Sequence, residues 1–239
     1  MSETIDVKEN IRKVKENMRN ACLKAGRTPE DTTLIAVTKT KPFEMLMEAY
    51  DAGVRDFGEN KVQDLMAKFE LAPKDSRFHM IGHLQKNKVK YLIGNVYLIH
   101  GVDSYELAEV IDKESKKKNV VTNILVEVNV AGEESKFGTS SKDAKEVVKK
   151  IASLPNVKVK GLMTIAPYVV NPEENRQYFV ELRNLLIDIN KENIDNISMD
   201  ILSMGMTGDY CVACEEGATY VRVGTGIFGE RDYGKENCI

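Results

Sequence analysis

The sequence predicts a single (β/α)8 TIM barrel with an extra N-terminal helix, and three observations support this prediction. Short apolar, β-branched runs recur eight times along the 239 residues. Segments with helical spacing separate most of these runs, as parallel strands joined by helical crossovers require. No long linker and no change of composition marks a second domain, so we expect residues 1–239 to form one domain. A doubly wound open sheet is the alternative fold.

The elements follow in order along the chain. Residues 5–25 place Ile11, Val14, Met18 and Cys22 at helical steps of three and four. The eight strands are predicted at residues 33–37, 54–57, 78–81, 96–99, 124–128, 157–162, 199–202 and 220–223. Helices are predicted between them at residues 42–52, 59–70, 104–118, 141–153 and 172–189. Eight such units in a chain of this length are typical of a closed β/α barrel.

The composition is that of an ordinary globular protein. Hydrophobic residues make up 42% of the chain and charged residues 30%, with a formal net charge of -3. No apolar run suits a signal peptide or a membrane span, so we expect a cytoplasmic protein that binds neither nucleic acid nor membranes. The four cysteines are too sparse for a disulfide framework, and we expect free thiols.

Lys39 is the first candidate for chemistry, because it directly follows the apolar run 34–38 at the end of the first predicted strand. In a barrel, functional groups gather where strands end and their loops begin. Burial there would lower the pKa of the Lys39 amine, and the neutral amine is the form that attacks a carbonyl group. Lys39 is therefore a candidate for a Schiff base with a carbonyl cofactor. A surface lysine just past a strand is the alternative interpretation.

The loops after the seventh and eighth strands favour phosphate binding, because barrels commonly hold phosphate there with backbone N–H groups. Glycine permits close approach of the backbone, and hydroxyl side chains add donors without negative charge. Ordinary turns are the alternative interpretation of these glycines. The residues are Ser203, Gly205, Thr207, Gly208, Gly224, Thr225 and Gly226.

Arg222 lies inside the last strand, and strand alternation points it away from Val221 and Val223. It would then face the cofactor site, unless it forms a salt bridge instead. A guanidinium can only donate hydrogen bonds. If the cofactor carries a pyridine ring whose nitrogen faces Arg222, that nitrogen would stay unprotonated and the ring would be a weak electron sink. Such a ring suits cofactor holding or racemase-type proton transfer.

Other motifs carry weaker signals. Cys211 and Cys214 form C-x-x-C, but no second motif completes a zinc site, so we interpret the pair as one inward face of a short helix and expect no metal. His79 is expected to be structural. The polar loop 132–138 is a candidate lid over the barrel mouth.

Six segments together resemble the pyridoxal phosphate homeostasis proteins, the YggS/PROSC family, over nearly the whole chain. They are AVTKTKP at 36–42, FGEN at 57–60, FHMIGHLQKNK at 78–88, GLM at 161–163, LSMGM at 202–206 with Asp209, and VRVGTGIFG at 221–229. The family is also similar to the N-terminal barrel of alanine racemase. Two departures are Thr38, where serine is common, and the unusual filling of residues 210–214.

The resemblance implies pyridoxal 5′-phosphate (PLP) as the cofactor, held as a Schiff base on Lys39. By the same resemblance Arg222 faces the pyridine nitrogen, and the remaining residues surround the cofactor. Asn60 and Met163 lie beside it, whereas Ser203, Gly224 and Thr225 help to hold the phosphate.

The resemblance implies buffering or delivery of PLP, with PLP-requiring apoenzymes as partners. Alanine racemase needs a further β domain to supply a second acid/base, and no such domain is evident here. We therefore expect a non-catalytic carrier and favour a monomer. A PLP-dependent amino acid racemase is the alternative, and a protein-binding module on a barrel scaffold is a third possibility.

Overall fold

Eight parallel strands close into a barrel in the computed structural model, which describes residues 5–133 and 136–230. The barrel strands are β1 (Thr33–Val37), β2 (Asp56–Glu59), β3 (Arg77–Met80), β4 (Leu98–Val102), β5 (Thr122–Asn129), β7 (Val157–Met163), β8 (Ile197–Ser203) and β9 (Tyr220–Val223). A two-residue strand that was not predicted, β6 (Thr139–Ser140), pairs with the end of β5. The predicted barrel is confirmed.

Helices follow the strands around the barrel. They are α1 (Val7–Lys24), α2 (Phe43–Asp51), α3 (Val62–Leu71), α4 (Val89–Leu92), α5 (Tyr105–Lys118), α6 (Ala144–Ala152), α7 (Arg176–Asn190), α8 (Tyr210–Glu215) and α9 (Thr225–Phe228), with short 3-10 turns at Pro29–Asp31, Lys86–Lys88 and Pro172–Asn175. The extra helix α1 begins where the Asp6 side chain accepts the Glu9 N–H at 2.9 Å. Its apolar face is buried against α8 and α9, as the sequence pattern predicts.

The ring closes between the first and last strands. β1 pairs with β2 on one side and with β9 on the other, and β4 pairs with β5. Between β7 and β8 the backbones approach so closely that a Cβ at position 161 would overlap the carbonyl oxygen of Ile201, so Gly161 is required there. All eight strands are parallel, so their carboxyl ends meet at one mouth.

Several predicted boundaries are wrong by two residues or more, and in three of them a neighbouring element uses the backbone. β2 begins at Asp56 because the Val54 N–H donates to Ala49 and finishes α2. β4 begins at Leu98 because the Val96 N–H donates to Leu92 after α4. The helix predicted from residue 59 begins at Val62, since Glu59 ends β2.

Candidate functional site

The seven predicted site residues lie at the carboxyl ends of five consecutive strands, β7, β8, β9, β1 and β2. Met163 ends β7, and its register partner Ser203 ends β8. Both are buried, as is Arg222 in β9. The others lie one or two residues past their strands: Lys39, Asn60 and Gly224 are half-buried and Thr225 is exposed. The fold therefore brings all seven to one side of the barrel mouth, while their roles remain predictions.

The backbone next to Lys39 is held by a buried ion pair. The Glu59 Oε1 atom accepts hydrogen bonds from the Thr38 hydroxyl and from Lys68 Nζ, both at 2.6 Å. Lys68 Nζ also donates to the Thr38 carbonyl oxygen at 2.7 Å. Glu59 is fully buried, and its Oε2 lacks a hydrogen-bond partner among the described residues. These contacts join β1, β2 and α3 and fix the residue that precedes Lys39.

Arg222 points into the barrel, as strand alternation predicts. Its Nη1 donates to Ser203 Oγ at 2.6 Å, and its Nη2 donates to the Thr164 carbonyl oxygen at 2.8 Å. Thr164 follows β7 directly, so the guanidinium lies level with the strand ends. Burial lowers the pKa of Arg222 to about 10, although the charges of Glu127 and Asp209 oppose this shift. Arg222 therefore stays cationic near neutral pH.

A chain of hydrogen bonds extends from Ser203 into the barrel interior. Ser203 Oγ lies 2.8 Å from His100 Nδ1, and His100 Nε2 lies 3.0 Å from His79 Nδ1. His79 Nε2 lies 3.0 Å from Asp56 Oδ1, which also accepts from Arg77 Nε at 2.8 Å. We name these groups the histidine chain. His79 was predicted to be structural, whereas His100 was given no role from the sequence.

Burial and hydrogen bonding together determine the charge states along the histidine chain. Burial lowers the pKa of His79, although Asp56 opposes the shift. Burial, with the charges of His79 and Arg222, lowers the pKa of His100 well below its usual value. Burial opposes ionisation of Asp56, but hydrogen bonds from Arg77 and His79 outweigh it and lower the pKa of that carboxyl. Two neutral imidazoles therefore lie between an anionic Asp56 and a cationic Arg222.

Glu127, like His100, was given no role by the sequence analysis. It lies in β5 and is 5% exposed. Burial, with the charge of Asp103, raises the pKa of Glu127 to about 7, and the charge of Arg222 opposes this shift. The residue borders a cavity of about 130 Å³ at the mouth, lined by Glu127, Val128, Asn129, Lys136, Phe137 and Ile165. A larger cavity of about 390 Å³ lies along α1, away from the strand ends.

The raised pKa of Glu127 predicts a pH-dependent stability. The folded chain binds this proton more tightly than the unfolded chain, so the contribution is complete below the ordinary pKa of 4.5 and is lost as the pH rises through about 7. We compare the unfolding free energies of Glu127→Gln and wild type. We expect the variant's advantage over wild type to be roughly 2–3 kcal/mol larger at pH 8 than at pH 5. Urea unfolding at both pH values measures this gain, with the exposed Glu106→Gln as the control. A difference between variant and wild type that is the same at both pH values would contradict the raised pKa of Glu127.

The two glycine-containing loops contact each other at the mouth. Gly224 leads directly into α9, and its carbonyl oxygen accepts the N–H groups of Ile227 and Phe228, both at 2.9 Å. The Gly226 N–H donates to Thr207 Oγ1 at 3.2 Å. This bond joins the loop after β8 to the loop after β9, the pair predicted to hold phosphate.

His83 lies at the mouth and is separate from the histidine chain. Its ring stacks on Phe137, with centroids 3.8 Å apart and planes 14° apart, and its Nδ1 lies 3.5 Å from Asp103 Oδ2. Phe137 belongs to the candidate lid 132–138, of which residues 134–135 lie outside the described part. The stacking fastens this segment to the loop after β3, while its role as a lid stays a prediction.

The cysteines pack as the sequence analysis expects. Cys22 and Cys214 are buried and Cys211 is half-buried, and all three are free thiols. Burial raises the pKa of the Cys214 thiol. Within residues 5–133 and 136–230, no cluster of His, Cys, Asp and Glu suits a metal ion, and no helix is long and apolar enough to cross a membrane. Cys238 lies outside the described residues.

Comparison with known proteins agrees with the family resemblance of the sequence segments. The family model described as alanine racemase, N-terminal domain, matches residues 9–232. A pyridoxal phosphate homeostasis protein of Aquifex aeolicus is 47% identical over 226 residues, covering 94% of this chain and 98% of the relative.

Solved structures agree in fold. PipY of Synechococcus elongatus, solved with PLP bound, superposes with a TM-score of 0.81 at 31% identity, covering 94% of this chain and 100% of PipY. Alanine racemase of Clostridium difficile superposes at 0.75 with 14% identity, covering 95% of this chain and 58% of the racemase, and this likeness shows the fold alone. With a barrel that matches from end to end and identities above 30% over nearly the full length, the chain belongs to the family of pyridoxal phosphate homeostasis proteins.

Proposed function

We propose that this protein binds PLP at the barrel mouth and serves PLP homeostasis, by buffering the cofactor or delivering it to other proteins. The observation that carries this proposal is that Lys39 follows β1 closely and Arg222 lies in the adjacent strand β9. β1 and β9 pair directly, with Ile35 opposite Arg222, and the Arg222 guanidinium reaches the strand ends. Lys39 and Arg222 thus belong to neighbouring strand ends at the same mouth, which supports a site that uses both groups.

The residues fit the cofactor's functional groups. When bound, PLP supplies an aldehyde, an anionic phosphate and a ring nitrogen. The Lys39 amine would condense with the aldehyde carbon and release water, which gives the Schiff base. Arg222 would donate to the ring nitrogen, since a guanidinium has five N–H donors and two already bind Ser203 and Thr164.

The remaining predicted residues would complete the binding site. Gly224 and Thr225 lie in the loop joined to the loop after β8, and Ser203 ends the strand before that loop. We propose that Gly224 and Thr225 serve the phosphate end, and that Ser203 supports the site through its hydrogen bond with Arg222. Asn60 and Met163 would flank the cofactor from β2 and β7.

We further propose that the protein is a non-catalytic carrier. Arg222 remains a donor near neutral pH, so a ring nitrogen facing it stays unprotonated and withdraws electrons weakly. Such a ring suits cofactor holding or proton transfer without a long-lived carbanion. Racemisation also needs a second acid/base on the other face of the α-carbon, and besides Lys39 the sequence motifs place no tyrosine or cysteine at a strand end. We propose PLP-requiring apoenzymes as recipients, and a monomer as the species that meets them.

The test uses the purified protein loaded with PLP. We expect an absorbance band at about 420 nm, and borohydride reduction should fix a pyridoxyl group on Lys39 by peptide mass. Loaded protein should not exchange the α-protons of amino acids into deuterated water, and it should transfer PLP to an apoenzyme. A protein that takes up no PLP would refute the binding proposal, whereas rapid α-proton exchange would favour a racemase.

A further inference from the structure

The hydrogen bonds of the histidine chain have one consistent direction. An ionised Asp56 carboxylate can only accept, so His79 Nε2 carries the proton of that bond. A neutral imidazole carries one N–H, so His79 Nδ1 accepts from His100 Nε2–H. By the same rule His100 Nδ1 accepts, and the proton of its bond belongs to the Ser203 hydroxyl.

The direction of the hydrogen bonds in the histidine chain determines which bonds Ser203 donates and accepts. Its single hydroxyl proton is directed to His100, so its oxygen is left to accept from Arg222 Nη1 at 2.6 Å. Arg222 can only donate, which matches this arrangement. Its Nη2 is held independently by the Thr164 carbonyl oxygen. The guanidinium is therefore fixed at both terminal nitrogens, one of them through the histidine chain.

We propose that His100, supported by His79 and Asp56, is a positioning residue for the cofactor site. It orients the Ser203 hydroxyl so that the serine oxygen accepts from Arg222 and holds the guanidinium toward the mouth. The proposal rests on the proposed function, because PLP gives Arg222 its ligand. It changes the role that the resemblance implies for Ser203, since its hydroxyl serves Arg222 and is not a donor to the phosphate.

The surroundings of the two imidazoles support this direction. Asp56 and Arg77 face the outer end of the chain, and Arg222 faces its inner end. The Tyr97 and Tyr220 rings pack on His79 at centroid distances of 5.4 and 5.3 Å, and Tyr220 also lies 6.0 Å from the His100 ring. Burial raises the pKa of the Tyr220 phenol, so this neighbour stays neutral near pH 7.

Long-range ¹⁵N–¹H NMR of the imidazoles tests the direction in protein without cofactor. We expect His79 and His100 each to carry one proton, on Nε2, at every pH from about 6 to 8, because burial disfavours the charged form. The more exposed His83 is the internal reference. An Nδ1–H tautomer or a charged ring at His100 would refute the proposal. This result does not depend on PLP binding.

Two variants test the consequence for PLP binding. His100→Phe removes the acceptor for Ser203, and we expect PLP affinity to fall about tenfold, as loss of one buried hydrogen bond predicts. His100→Asn can keep an acceptor near the Nδ1 position, so its affinity should stay within about threefold of wild type. Thr122→Val is the matched control, because it removes a buried hydroxyl bonded to Ser115 at 2.7 Å, outside the histidine chain.

The outcomes separate the two proposals. If wild type takes up no PLP, the proposed function fails, whereas the NMR result still decides the direction of the histidine chain. If wild type binds PLP and His100→Phe binds it equally well, the positioning role is refuted and the proposed function stands. Should His100→Phe not fold, His100→Asn and the imidazole tautomers decide the question.

Discussion

Lys39→Ala is expected to abolish covalent attachment of PLP. The variant lacks the only amine proposed to condense with the aldehyde, so the band at about 420 nm should be absent and borohydride should fix no pyridoxyl group. Arg222 and the phosphate loops remain, so weaker reversible binding should persist. Absorbance, peptide mass after reduction and equilibrium dialysis measure these three properties.

Lys41→Ala is the matched control for this experiment. Lys41 lies two residues further along and donates to the Glu230 carbonyl oxygen at 2.7 Å. Its removal should leave the absorbance band unchanged. A pyridoxyl group found on another lysine of the wild-type protein, with full absorbance retained in Lys39→Ala, would contradict the assignment of Lys39.

Lys68→Met is expected to cost about 3–5 kcal/mol of unfolding free energy, because it leaves the fully buried Glu59 carboxylate without its cation. The Thr38 carbonyl oxygen also loses its donor in this variant. Chemical denaturation of the protein without cofactor measures the loss. The same variant should weaken PLP binding, since Thr38 fixes the backbone next to Lys39.

The double variant Lys68→Met with Glu59→Gln removes both charges and should recover part of the loss. Lys191→Met is the surface control, because Lys191 and Asp188 form an exposed pair at 2.9 Å that should contribute less than about 1 kcal/mol. A loss in Lys68→Met no larger than in Lys191→Met would show that the buried pair does not stabilise this part of the barrel.

Local sequence patterns predict the barrel and much of the candidate site. Eight apolar runs separated by helices define the strand order, and β1 and β9 have the predicted bounds of residues 33–37 and 220–223. Strand alternation also predicts that Arg222 points inward, and the structure shows it bonded to Ser203 and Thr164. These features depend on residues that are close in sequence. Side chains alternate every two residues along a strand and share a helix face every three or four residues, so both patterns can be seen in the sequence.

The histidine chain could not be predicted in the same way. It joins β2, β3, β4 and β8, and His100 meets Ser203 across more than a hundred residues of sequence. His79 and Ser203 each stand singly between apolar neighbours, a pattern that also fits a buried residue bonded only to backbone. Glu127 between Val126 and Val128 gives a similar signal. Only the strand register and the closed ring show which of these side chains share the interior.

Closure of the ring by β1 and β9 affects biosynthesis. During translation β1 leaves the ribosome long before β9, so one edge of β1 stays unpaired while the intervening strands emerge. Lys39 is made early, but Arg222 arrives with the final barrel strand. A nascent chain that ends before β9 therefore cannot present the amine and the guanidinium together. Withdrawal of PLP from the cellular pool would begin only after the ribosome has completed the barrel.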